Sequence, residues 1–179
     1  KLWFNMVEEL FIENLHTYVP FLPMVSQSER EALVHLKLQN GTIWRWNRPI
    51  VHATSGKPSH LRIENRVMAA GPTVVDVVAN TAFAIGLTLH LSGQENLEER
   101  LPFELARRNF YASAKRGLGA SISWLDGEVH DIQELIRNEL ADAAEHALID
   151  AGISALDASH YMGIIRARAR NGQTGAAWQ

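Results

Sequence analysis

Leu61-Arg62-Ile63-Glu64-Asn65-Arg66-Val67 is the stretch that decides how this chain is read. In an extended strand, successive side chains point to opposite faces. Arg62, Glu64 and Arg66 therefore form one row. Leu61, Ile63 and Val67 form the other, predicted to face a core. A carboxylate between two guanidiniums offers a hard oxygen to a divalent cation and forked donors to phosphate or carboxylate. The plain alternative is a solvated strand face held by cross-strand ion pairs.

Upstream, Thr42-Ile43-Trp44-Arg45-Trp46-Asn47-Arg48-Pro49 is rich in β-branched and aromatic residues, which predicts a strand ended by Pro49. Gly41 and the cluster Ser55-Gly56-Lys57-Pro58 bracket it with turn signals. The two strands are expected to make an antiparallel hairpin, with Arg45 and Arg48 near the Arg62, Glu64 and Arg66 row. Both share its face only if the strand bulges or bends at Asn47. Downstream, Gly71-Pro72-Thr73-Val74-Val75-Asp76 reads as a turn entering a helix, with Thr73 and Asp76 as a capping box. This helix runs to about Leu91 and is apolar nearly all round, which predicts burial. Asp76 and Asn80 are its polar exceptions, four residues apart on one face. They are candidates to point at the site. For Asp76 the alternative is a carboxylate that stabilises the helix start.

Three segments carry a family likeness: Asn40 to Pro49, Leu61 to Val67, and Ala70 to Asp76 with Ala79-Asn80. In this order they resemble the carboxylate-amine ligases related to glutamate–cysteine ligase, which share a superfamily with glutamine synthetase. Asn109-Phe110-Tyr111-Ala112, Arg116-Gly117-Leu118 and the terminal Gly172 to Gln179 extend the resemblance. A lone Arg-x-Glu-x-Arg is worth little; the ordered series is more specific. The resemblance implies ATP and Mg²⁺ as cofactors, with glutamate and an amine such as cysteine as substrates. In the implied chemistry a substrate carboxylate takes the γ-phosphoryl group, and an amine then displaces phosphate to form an amide. Positioning and charge neutralisation suffice for both steps. By resemblance, Glu64 is the Mg²⁺ ligand, and Arg62 and Arg45 hold the phosphate chain. Arg66 contacts the substrate carboxylate or the transferring phosphoryl group, with Arg48 a weaker member. Asp76 and Asn80 stand behind the strand, and Arg116 gains weight from the family-like segment around it. The family is considerably longer and matches only in its C-terminal part. With no initiator Met at Lys1, the chain reads as a fragment whose missing N-terminal half is its expected partner. A homo-oligomer is compatible with this reading.

Composition sets bounds. At 179 residues and 20.0 kDa the chain is large enough for one domain with a core. A net charge of −3 and a pI near 6.2 supply no basic field for nucleic acid. There are no cysteines, so no disulfide or thiol chemistry is available. No run of 18 continuous apolar residues marks a membrane span, and a cytoplasmic protein is expected.

The coarse reading is α+β: mostly helical around an antiparallel β-hairpin, as in the C-terminal portion of a glutamine-synthetase-like catalytic domain. Helices are predicted over 2–17, from the Ser28 and Glu31 capping box to about Leu38, over 101–116, over 129–151, and from the Ser154 cap to about Arg170. Val19-Pro20-Phe21-Leu22-Pro23 is a loop, Asn40-Gly41 stops the second helix, and the tail from Asn171 is irregular. No repeat, linker or internal boundary is evident.

Other residues favour plainer readings. None of the eight histidines has zinc-motif spacing, and His60 reads as a surface group. Arg166, Arg168 and Arg170 suit a helix C-terminus, and Arg107 and Arg108 are ambiguous. Trp44 and Trp46 suit packing in a core or against a neighbouring helix better than base stacking. Two rival functions remain. One is a noncatalytic scaffold or oligomerisation module with a vestigial site, marked by an exposed apolar face. The other is a single-strand nucleic-acid binder, which requires exposed, coplanar tryptophans beside a basic groove.

Overall fold

The computed structural model describes residues 6–20, 33–54 and 56–178. The fold is mixed α+β and mostly helical, with two small two-stranded antiparallel sheets. The described residues fall into two compact units that meet in the sequence at Val67 and Met68. No Gly-, Ser- or charge-rich linker marks the division, so the sequence carries no signal for it. The capping box at Ser28 and Glu31, and Phe21 to Pro23 of the predicted loop, lie outside the described residues.

The smaller unit holds helix α1 (Val7–Thr17), helix α2 (Val34–Thr42), and strands β1 (Asn47–His52) and β2 (His60–Asn65). The hairpin is antiparallel as expected, but its first strand lies further along the chain. Residues 34–42 are helical, and β1 runs through Pro49 instead of ending there. The ladder explains how. Arg66 N–H donates to the Trp46 carbonyl at 2.8 Å, and Arg48 pairs with Glu64 and Ile50 with Arg62. Hydrogen-bonded and non-bonded pairs alternate in an antiparallel ladder. Asn47, Pro49 and Val51 therefore turn their nitrogens away from β2, and Pro49 costs the ladder no donor. Its outward carbonyl accepts from Asn40 Nδ2. Asn14 Nδ2 donates to Asn40 Oδ1 at 3.2 Å. These side-chain bonds hold the buried Asn40 near the end of α2, which closes at Thr42, one residue past the Asn40-Gly41 stop signal.

One expectation fails here. Leu61, Ile63 and Val67, predicted to face a core, are 39%, 53% and 40% exposed. The alternation is present, but the face opposite the charged row buries only Pro49 and Ala53 of its hairpin.

The larger unit is a helical assembly. Its helices are α3 (Val74–Ser92), α4 (Leu97–Arg100), α5 (Phe103–Arg116), α6 (Ile132–Leu135), α7 (Ala141–Asp150), α8 (Ala155–Asn171) and α9 (Gly175–Trp178). A π-helical turn, Ile136–Leu140, joins α6 to α7. A hairpin of β3 (Ser121–Ser123) and β4 (Val129–Asp131) precedes α6. The long helix expected over 129–151 therefore loses its first three residues to β4. Asp131 caps the new start, accepting from the Gln133 and Glu134 N–H groups. The caps at Thr73 and Ser154 form as predicted. The tail expected to be irregular carries the short helix α9.

α3 packs on α7 and α8 through small residues. Ala79, Gly86, Ala141 and Ala144 are all buried, with Met162 of α8 fully enclosed. The all-round burial expected of α3 does not occur. Val74, Val75, Val78, Ile85 and Leu89 are exposed on its outer side. A helix touching neighbours on one side cannot bury an apolar circumference. By length and composition α3 also suffices to cross a membrane. The scattered Asp76, Asn80, Thr81, Thr88 and His90 interrupt its apolar run without reversing its average.

A Cβ on Gly86 would stand 2.6 Å from the Ala144 carbonyl oxygen and 2.9 Å from its Cβ. Backbone cannot rotate aside as a side chain can. Gly86→Ala gains about 1 kcal/mol of helix propensity, while overpacking costs about 1–3 kcal/mol. We expect a lower melting temperature by circular dichroism, and a larger drop for Gly86→Leu. A rise for Gly86→Ala would show that α3 and α7 separate without loss.

Candidate functional site

The register of β1 and β2 puts Arg48, Ile50, Arg62, Glu64 and Arg66 on one face of the hairpin. Glu64 is its electrostatic centre. Arg48 donates to Glu64 Oε2 from Nε at 3.0 Å, with its Nη2 at 2.9 Å, and Arg66 Nε donates to the same oxygen at 2.9 Å. Oε1 accepts nothing among the described residues, and the side chain is 40% exposed. The hydrogen bond from Arg66, with the nearby charges of Arg48 and Arg66, holds the Glu64 carboxyl below its usual range against the opposing effect of desolvation.

The arginines of this unit differ in what they have left to donate. Arg48 directs its remaining terminal nitrogen to the Gly41 carbonyl at 3.2 Å. Arg45 precedes β1 and turns to α1. Its Nε and Nη2 donate to Asn14 Oδ1 at 3.0 and 2.7 Å, and its Nη1 lies 3.0 Å from Glu13 Oε2. Its guanidinium carbon also sits 5.8 Å from the Tyr18 ring centre. Arg45 and Arg48 thus do not share a face by means of a bulge, because Arg45 lies outside the strand. Arg66 commits only Nε, and Arg62 is exposed with no hydrogen bond or ion pair among the described residues.

The reading from sequence missed the aromatic partner of this row. The Arg66 guanidinium carbon lies 5.4 Å from the Trp44 ring centre, within cation–π range. Trp46 meets Trp44 edge to face at 5.3 Å and 68°. Both are exposed, unlike the packing expected for them. The Trp46 to Arg66 pairing was the available signal, because Trp44 is two residues before Trp46. It became readable only once the strand boundary was known.

Asp76, Asn80 and Arg116 belong to the helical unit. Asp76 Oδ2 accepts from Thr73 N and Oγ1 at 3.1 and 2.8 Å, and its Oδ1 accepts from Arg168 Nη2. Asn80 Oδ1 accepts from Arg168 Nη1 at 2.6 Å, and Asn80 Nδ2 donates to the Ala69 carbonyl at 3.2 Å. Their donors and acceptors cap α3 and tie it to α8. Arg166 likewise links α8 to Asp142 and Glu145 of α7. Arg116 is exposed at the end of α5. Among the described residues no group of three His, Asp or Glu is placed to hold a metal ion. Compared with family models, curated proteins and solved structures, the chain matches none.

Two outcomes test these assignments. Arg45→Leu strips Asn14, which is buried, of its charged donor, and should cost about 1–3 kcal/mol in denaturant unfolding. Unchanged stability would remove its structural role. Asp76 is held below its ordinary 3.8 by the hydroxyl of Thr73 and then by Arg168. A lowered carboxylate stabilises the fold fully above its unfolded value and loses that contribution as pH falls through the folded one. Asp76→Asn should therefore melt below wild type at neutral pH, and the gap should close in acid below about pH 3.8. A gap independent of pH would show that the charge contributes nothing.

Proposed function

We propose that this chain is the C-terminal portion of an ATP-dependent, glutamate–cysteine ligase-like carboxylate-amine ligase. Its substrates are glutamate and an amine such as cysteine. One observation carries the reading. Glu64 gives one oxygen to two arginines and keeps the other free, beside an Arg66 whose terminal donors are uncommitted among the described residues. Mg²⁺ is commonly bound by one or two carboxylates plus substrate phosphates and water. A single carboxylate beside phosphate-seeking guanidiniums suits that mode better than a protein-built cage. Bound there, Mg²⁺ would neutralise phosphate charge. The chain's own residues have separable tasks. Arg48 holds Glu64 in place, Glu64 presents Oε1, and Arg66 and Arg62 receive anionic groups of the substrates. Arg45, assigned to the phosphate chain by resemblance, is a structural tie to α1 in this scheme.

The exposed apolar side of α3 favours a second reading, a noncatalytic scaffold or oligomerisation module. The nucleic-acid reading loses support, because Trp44 and Trp46 are exposed but set at 68° and not coplanar.

Glu64→Gln separates the first two readings. Mg-ATP and ATP with a chelator are titrated calorimetrically into the wild-type chain and the Glu64→Gln variant. A metal-ligand role predicts that wild type binds Mg-ATP more tightly and that the substitution removes the difference. The 179-residue chain by itself is expected to show no measurable turnover; in the longer ligase of which it is proposed to be part, Glu64→Gln should cost on the order of a hundredfold in rate. If Mg²⁺ dependence survives and only the melting temperature falls, Glu64 is an ion-pair residue and the ligase reading loses its metal site.

A further inference from the structure

We propose that Trp44 is a positioning residue for Arg66: its indole face, together with Glu64, orients the guanidinium so that both terminal nitrogens present to an incoming phosphate-type anion. The inference rests on the ligase reading for the identity of that anion, and on the geometry of the hairpin for everything else.

An arginine side chain is long and loses much rotamer freedom when it is fixed. An arginine that must receive an anion is more effective when oriented beforehand, by contacts that leave its outer donors free. Arg66 meets this description. Its Nε is bound to Glu64 Oε2 at 2.9 Å, which fixes one edge of the guanidinium. Trp44 lies against the same group at 5.4 Å. The Arg66 backbone N–H is locked to the Trp46 carbonyl at 2.8 Å. Nη1 and Nη2 then remain, the pair that matches two oxygens of a phosphate. Neither has a partner among the described residues. Arg45 and Arg48 serve as internal controls. Each has all three nitrogens engaged with protein.

The placement of Trp44 needs explaining on its own account. It is 68% exposed and precedes β1, so it adds little to any core. Its described ring contacts are Trp46, edge-on, and Arg66. An indole left in water against one guanidinium serves that guanidinium. Trp46 supports it from the side.

Inorganic pyrophosphate with Mg²⁺ is the probe, titrated calorimetrically into the 179-residue chain. Exposed cation–π contacts are worth about 0.5–1 kcal/mol, so Trp44→Leu should weaken binding about two- to fivefold. Trp44→Phe keeps an aromatic face and should restore most of the loss. The melting temperature should not move with either. In an Arg66→Gln background, Trp44→Leu should have no further effect, an outcome that a merely structural tryptophan does not predict. Wild-type affinity in Trp44→Leu, or an equal loss in the Arg66→Gln background, overturns the proposal. If Glu64→Gln removes the Mg²⁺ dependence while Trp44→Leu binds normally, the positioning role falls and the ligase reading stands. If the wild-type chain binds no pyrophosphate, both fall.

Discussion

The pairing of Arg48 with Glu64 is the constraint on which the hairpin unit depends. It is one line of a ladder whose parity decides several things together. The same parity that brings Arg48 over Glu64 turns Pro49 to the unpaired side, where it removes no hydrogen bond. It also brings Trp46 opposite Arg66, and with it Trp44 to the guanidinium. A slip by one residue would send the charged row to the other face and place the proline where a donor is needed. A proline within the strand thus helps to specify register, because one of the two parities is closed to it.

The helical unit is held differently. α3 approaches α7 at Gly86 and Ala144 so closely that a methyl group does not fit. Close approach requires small side chains, and these leave little apolar area on the packed side. The bulky valines, Ile85 and Leu89 lie on the other side, in contact with solvent. Arg168 adds a polar clasp, reaching Asp76 and Asn80 from α8. Two residues that look like site candidates in the sequence therefore have their hydrogen-bonding capacity taken up by the joint between two helices.

Local signals were legible wherever the physics is local. The Thr73 and Ser154 caps, the helix end at Arg116 and the turn at Gly56 depend on neighbours a few residues away, and each appears where the sequence places it. Asn40-Gly41 marks the end of α2 to within the one or two residues by which helix ends commonly differ. Val129 to Asp131 failed as a helix start because Ser121 to Ser123 offered a partner strand. There a strand pairing outweighed a helix propensity worth only tenths of a kcal/mol per residue.

The candidate site divides along the same line. The alternation in residues 61–67, read alone, determined that Arg62, Glu64 and Arg66 share a face, because a strand has a fixed period of two. It carried no information about what lies across from them. Tertiary structure decided that Arg48 and not Arg45 joins Glu64, that Arg66 keeps its fork free, and that an indole lies against it. It also decided that Leu61, Ile63 and Val67 stay exposed. Periodicity states which residues lie side by side; burial and donor supply depend on which other segment arrives, and with what register.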